Sequence, residues 1–133
     1  RDMIVHHEQG VLLAHIVQGN GGNSTVAGLA YDIEYTQTAQ IGQMTGFLSL
    51  WDYSLNSLDT PMAWMTDSSG HSDMTGMSAG SVDAAAAADG AIMPGMATNT
   101  QLAALKTLRG QASDILFLQL TIRHHQGGIP MNA

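Results

Sequence analysis

An all-α fold, a bundle of about four helices, is what this sequence predicts. Three observations lead there. Residues 25–51 contain no proline, and Val26, Leu29, Ala30, Ile33, Ile41, Met44, Leu48 and Trp51 recur at helical spacing. The same span shows none of the apolar–polar alternation of a half-buried strand. Finally, the pattern His-His-x-x-Gly stands near each end of the chain, as His6-His7-Glu8-Gln9-Gly10 and as His124-His125-Gln126-Gly127-Gly128. Each copy follows an aliphatic run and precedes more apolar residues. A repeated unit of this kind packs naturally as two similar elements about a pseudo-twofold axis.

Taken in order, residues 1–18 form the first helix, with Ile4, Val11, Leu12, Leu13, Ala14, Ile16 and Val17 on a broad apolar face. Gly19-Asn20-Gly21-Gly22 stops it, and Asn23 or Ser24 can cap the second helix, 25–52. On that helix Ala30, Glu34, Gln37, Ile41, Met44 and Leu48 share one side. Glu34 on such a side needs a partner, because burying an unpaired charge is costly. Residues 54–97 lose the pattern to Pro61, Pro94 and repeated Gly and Ser, with one helix-prone piece, Ser81 to Asp89, built on five alanines. A connection of that length in a small domain is usually functional or mobile. A short helix follows over 100–109 with Thr98 or Asn99 as cap, Gly110 interrupts, and a last long helix covers 112–128. Its expected buried stripe is Ile115, Leu116, Leu118, Ile122 and His125.

Length and composition bound the function. The 133 residues make a single domain, 1–133, large enough for its own core. The net charge is −7, and the basic residues are Arg1, Lys106, Arg109 and Arg123 alone. That excludes a nucleic-acid binder, which needs clustered Lys and Arg, and suits cation binding. With no cysteine, disulfides, zinc fingers and thiol chemistry are unavailable. No apolar run is long enough to span a membrane. The chain opens inside a helix, so a leader ahead of residue 1 would leave no trace here. Nothing in the composition speaks against a homo-oligomer.

Four of the six histidines lie in the repeat. Neighbouring helical residues point about 100° apart, so each pair can send one imidazole inward and one to a side. The facing pair is expected to be His7 with His125. Neutral imidazole is the commonest protein ligand for transition metals, and a convergence of four makes a metal site the first hypothesis. Met3 lies one turn before His7 and can join it, whereas His15 is about 12 Å further along the axis and belongs elsewhere. The alternative is histidines that are structural, hydrogen-bonded to Glu34, Gln37 or backbone. The methionines add a second, looser constellation: Met62-x-x-Met65, His71-x-x-Met74-x-x-Met77 and Met93-x-x-Met96, in a Gly- and Ser-rich context. Thioether sulfur is a soft ligand that favours Cu(I). The opposing reading has Met62 and Met65 covering the bundle as apolar gap-fillers. Catalysis has little footing. No nucleophile elbow or phosphate loop is present, and Glu8 and Glu34 are too few for a di-iron carboxylate site.

Several linked motifs resemble one family. These are Asp2-Met3-Ile4-Val5-His6-His7-x-Gln9-Gly10, Tyr31-Asp32-Ile33-Glu34-x-Thr36-Gln37, Gln40-Ile41-Gly42-Gln43-Met44, Pro61-Met62-Ala63-Trp64-Met65, and Phe117 through Gly128. Together they resemble the bacterial DUF305 proteins over nearly the whole chain. The resemblance implies a ferritin-like bundle, exported to the periplasm, cell envelope or medium, and associated with a metal, copper first and zinc as the alternative. It singles out Met3, His6, His7, His124, His125 and Met131. Thr121 stands where Met is frequent, and Asn132 follows Met131, so a symmetric His/Met site is incomplete. The expected role is a non-enzymatic metal buffer, carrier or resistance factor, with a structural or interaction bundle as the alternative.

Overall fold

A computed structural model describes residues 1–63 and 82–132, and every described regular element is helical. The elements are α1 (Asp2–Asn20), α2 (Ser24–Leu50), α3 (Ala84–Ala88), α4 (Asn99–Thr107) and α5 (Gln111–Gly128), with a 3₁₀ turn at Ile129–Asn132. The ferritin-like all-α class therefore holds; the bounds of the four expected helices fall within two residues, and the alanine piece is helical over Ala84–Ala88.

Helices α1 and α2 form an antiparallel hairpin across Gly21-Gly22-Asn23. Asn23 caps α2 by accepting from the backbone N–H groups of Thr25 and Val26. The turn itself is held from α5: the Asp114 carboxylate, 6 % exposed, accepts from Gly22 N–H at 3.1 Å and from Asn23 N–H at 2.9 Å. A buried carboxylate is tolerable here because it meets backbone donors near the positive end of α2. Replacing it strands those donors, so Asp114→Ala is expected to cost about 2–3 kcal/mol. Urea unfolding checks this, and a loss below about 1 kcal/mol would show the turn holding itself.

Asn20 closes the same end. Its side-chain amide donates to the carbonyls of Leu105 and Lys106 at the end of α4, and its own carbonyl accepts from Gly110 N–H. Helix α4 starts in a full capping box between Thr98 and Gln101. Gly110 turns the chain into α5 at φ 58°, a left-handed conformation that a side chain disfavours.

The main core joins Leu13, Ala14 and Val17 of α1, Val26 and Ala30 of α2, Ala97 and Leu105, and Phe117 and Leu120 of α5. A smaller core gathers Ala91, Met93 and Met96, with Met62 and Met131 packed on it. Met93 and Met96 are therefore core residues, 1 % and 8 % exposed, and not the open loop thioethers expected.

Two expected stripes need correction. On α5 the buried face is Ser113, Asp114, Phe117, Leu120, His124 and Gly128, while Ile115 and Ile122 stand 49 % and 59 % exposed. The small and polar side chains face inward because Asp114 and His124 find hydrogen-bond partners there and the aliphatic ones do not. On α2 and at its C-cap, Leu29 and Trp51 are exposed, whereas Ala30 and Gln37 are buried, because among the described residues this helix packs chiefly along α1.

Candidate metal centre

The two His-His-x-x-Gly copies meet where α1 crosses α5. The facing pair is His6 with His124, not His7 with His125. Their rings stack with centroids 3.8 Å apart and planes 28° from parallel, and each residue is 2 % exposed. The glycines of the repeat make this possible, each serving the other copy. A Cβ on Gly10 would lie 3.1 Å from His124 Cε1, and a Cβ on Gly128 would lie 3.3 Å from His6 Cε1. So each imidazole rests over the bare backbone of the opposite helix, four residues beyond the opposite histidine.

Hydrogen bonds fix the ring nitrogens. A carbonyl oxygen only accepts, so the nitrogen facing it carries the proton. His6 Nε2–H donates to Pro94 O at 3.2 Å, and His124 Nε2–H donates to His6 O at 2.9 Å. In both residues Nδ1 is therefore the lone-pair nitrogen. His125 Nδ1–H donates to Thr121 O at 2.9 Å, which leaves Nε2 as its lone pair on an exposed side chain. His7 Nε2–H donates to Gln40 Oε1 at 2.8 Å. His7 Nδ1 is then a buried lone pair with no hydrogen-bond partner among the described residues, as are Gln37 Oε1 and Thr121 Oγ1.

The electrostatics keep the inner pair neutral. Burial pushes the His124 imidazole down to about 3, and the adjoining His6 adds to it, with His125 and His7 contributing less. Burial also lowers His6, against a bond to Pro94 that favours its proton, and His7 and His125 press it further down. His7 and His125 thus act on both members of the inner pair. Metal-binding histidines show the same division of labour, with one nitrogen giving its proton to a carbonyl and the other kept as lone pair.

The support around the cluster was only partly expected. Gln9 holds the loop before α4 with two bonds to Ala97, donating to its carbonyl at 2.9 Å and accepting from its N–H at 2.6 Å. This keeps Pro94 over His6, and its one sequence signal was an amide on a buried helix face. Gly127 belongs to the same support, since Pro94 and Gly95 lie against it without room for a side chain. The partner required for Glu34 is present: His15 Nδ1–H donates to it at 3.2 Å, and Gln18 donates to its other oxygen. His15 is accordingly engaged away from the cluster.

The remaining expected ligands separate into three groups. Met3 and Met131 both line a cleft of about 530 Å³ with Arg1, Asp2 and Leu48. Met62, Met93 and Met96 share the smaller core with Met131. Met65, His71, Met74 and Met77 lie outside the described residues. Among the described residues no three His, Asp or Glu side chains stand close enough to hold a metal ion between them. No described helix is long and apolar enough to cross a membrane.

Comparison with known proteins places this arrangement. The profile for the domain of unknown function DUF305 matches residues 1–133. A DUF305 protein from Streptomyces coelicolor, assigned as secreted, superposes with a TM-score of 0.77 at 37 % identity, over 98 % of this chain and 66 % of that one. A DUF305 fragment from Deinococcus radiodurans gives 0.69 at 29 % identity, over 97 % of this chain and 68 % of that one. The chain thus spans about two thirds of the length of these solved structures. No curated protein matches it. With the family profile covering its full length, the chain belongs to the DUF305 family.

Proposed function

We propose that this protein binds a soft transition-metal ion, copper as Cu(I), outside the cytoplasm, as a buffer, carrier or resistance factor. The observation that carries this reading is His7 Nδ1. It is a buried lone-pair nitrogen with no partner among the described residues, within electrostatic reach of the neutral His6 and His124 imidazoles. An unpaired buried acceptor costs about 1–3 kcal/mol, and an ion bound there would offset that cost. The donor set also favours one metal over another. Structural zinc takes four ligands in a tetrahedron, and among the described residues no triad of His, Asp or Glu is preformed. Imidazole and thioether together suit Cu(I), and Met3 and Met131 share one cleft at the ends of α1 and α5. The extracytoplasmic placement rests on the secreted assignment of the Streptomyces relative. The metal in this reading is cargo, and no group is assigned to catalysis.

The double variant His7→Gln/His125→Gln tests it, because it leaves the stacked pair and its bonds in place. Competition titration with Cu(I) should show affinity at least tenfold below the parent, with the apo melting temperature unchanged. Zn²⁺ should bind more weakly than Cu(I) to the parent. Equal Cu(I) affinity in parent and variant would remove the metal reading. It would leave the second one, in which His6 and His124 tie α1, α5 and the Pro94 loop together as purely structural residues.

A further inference from the structure

We infer that α2 pairs with the α2 of a second copy of this chain, antiparallel, to give a two-fold dimer. Helix α2 packs along α1 and makes no comparable contact with any other helix among the described residues. On its open side Gly28, Tyr31, Tyr35, Thr38, Gly42 and Gly46 succeed one another at steps of three and four, and all are exposed. That spacing places them on one face and is the spacing of a helix-pairing seam. Tyr31 and Tyr35 stand 60 % and 68 % exposed, with rings stacked at 6.4 Å. At Gly28, Gly42 and Gly46 a Cβ would meet nothing within 4 Å.

The order of large and small residues selects the occupant. Both tyrosines precede the midpoint of the seam, and Gly42 and Gly46 follow it. An identical helix running the opposite way, with the two-fold axis between Thr38 and Ala39, sets Tyr31 against the partner's Gly46 and Tyr35 against the partner's Gly42. The reverse contacts repeat by symmetry, as an isologous interface requires. A parallel copy would oppose tyrosine to tyrosine and glycine to glycine, leaving gaps beside a clash. Charge permits the match. Asp32 and Glu34 are the only charged residues of α2, neither lies in the seam, and Glu34 is engaged by His15 and Gln18. The 27 residues of α2 run about 40 Å, and a strip of that length and one helix wide belongs to the small, reversible class of interfaces.

Sedimentation equilibrium in EDTA, which removes any metal-bridged association, reads the dimer directly. From about 10 µM to 1 mM the chain should pass from monomer to at least half dimer. Gly42→Leu/Gly46→Leu fills the space meant for the partner's tyrosines and should weaken association at least tenfold. It should melt no lower than the parent, because Leu is the better helix former and open space surrounds both sites. The chain has no cysteine, so one introduced thiol can join only its own counterpart. Thr38→Cys, beside the axis, should oxidise to a linked dimer. Ser49→Cys, roughly 30 Å from its counterpart in the antiparallel pair, should not. A parent monomeric throughout, a leucine variant that associates like the parent, or Ser49→Cys linking as fast as Thr38→Cys would each overturn the inference.

Discussion

Gly127→Ala is expected to destabilise the protein by about 3 kcal/mol and to unfasten His6 from its loop. A Cβ at this position would lie 2.1 Å from Pro94 O, 2.4 Å from Pro94 C and 2.6 Å from Gly95 Cα. All three are backbone atoms, so no side-chain rotation relieves the overlap. Overpacking of this kind costs about 1–3 kcal/mol. Retreat of the loop also forfeits the bond from His6 Nε2–H to Pro94 O and strains the Gln9 clamp at Ala97, about 1 kcal/mol for each bond lost. The comparison is Gly19→Ala in α1, where a Cβ meets nothing within 4 Å and the exchange should be neutral or stabilising. Urea unfolding of both variants decides it. A Gly127→Ala loss under about 1 kcal/mol would mean that the loop does not sit on α5 as described.

Mild acid should destabilise the metal-free protein by about 2 kcal/mol through its buried histidines. An unfolded histidine takes up its proton near 6.5, whereas His124 in the folded protein is pushed down to about 3, by burial first and by its neighbour His6 second. Between those values the unfolded state binds more protons, so stability rises with pH. The contribution is fully present above about 6.5 and is lost as the pH falls toward the folded value. One such histidine gives a slope of about 1.4 kcal/mol per pH unit, or about 2 kcal/mol between pH 6.5 and 5. His6, lowered in the same direction, steepens the same window. Urea midpoints at pH 7, 6 and 5 in EDTA measure the slope, and His124→Gln should flatten it. A parent midpoint that stays level across this range would show that His124 is not held neutral.

The period of the apolar residues carried the helices, because 3.6-residue spacing and capping residues such as Asn23 and Thr98 are local signals. It did not carry the azimuth of each helix. On α5 the aliphatic residues Ile115 and Ile122 matched the period as well as Phe117 and Leu120 did, and only contacts from distant residues chose between them. Asp114 faces inward because the turn at Gly22 and Asn23 lies there, and His124 because His6 O accepts its proton. The repeat correctly announced convergence of its two copies. Which histidine of each pair would face the other depended on that same azimuth, so His6 and His124 took the place expected of His7 and His125. Nothing local marks what the glycines of the motif do, and Gly10 stands in the middle of an expected helix. Their part in admitting the opposite imidazole is invisible until both helices are in place. The methionines beyond residue 90 were misplaced for a similar reason, since a loop that folds back on α1 and α5 makes its own small core.

The bonds that close the histidine cluster join residues far apart in the chain. His6 to Pro94 and Gln9 to Ala97 each span 88 positions, and His124 to His6 spans 118. Helices α1 and α2, by contrast, are separated by a turn of only three residues, which Asp114 fastens once α5 arrives. In time, therefore, the hairpin can form early and the cluster must close late, because contacts of long sequence separation wait for the chain between them to be gathered in. The same topology loosens the constraint on that intervening chain. The entropy of closing a flexible loop grows only with the logarithm of its length, and doubling it costs about 0.6 kcal/mol. The exposed stretch that leaves α2, residues 51–60, is thus where this fold can gain or lose residues over evolutionary time while the two histidine motifs still find each other.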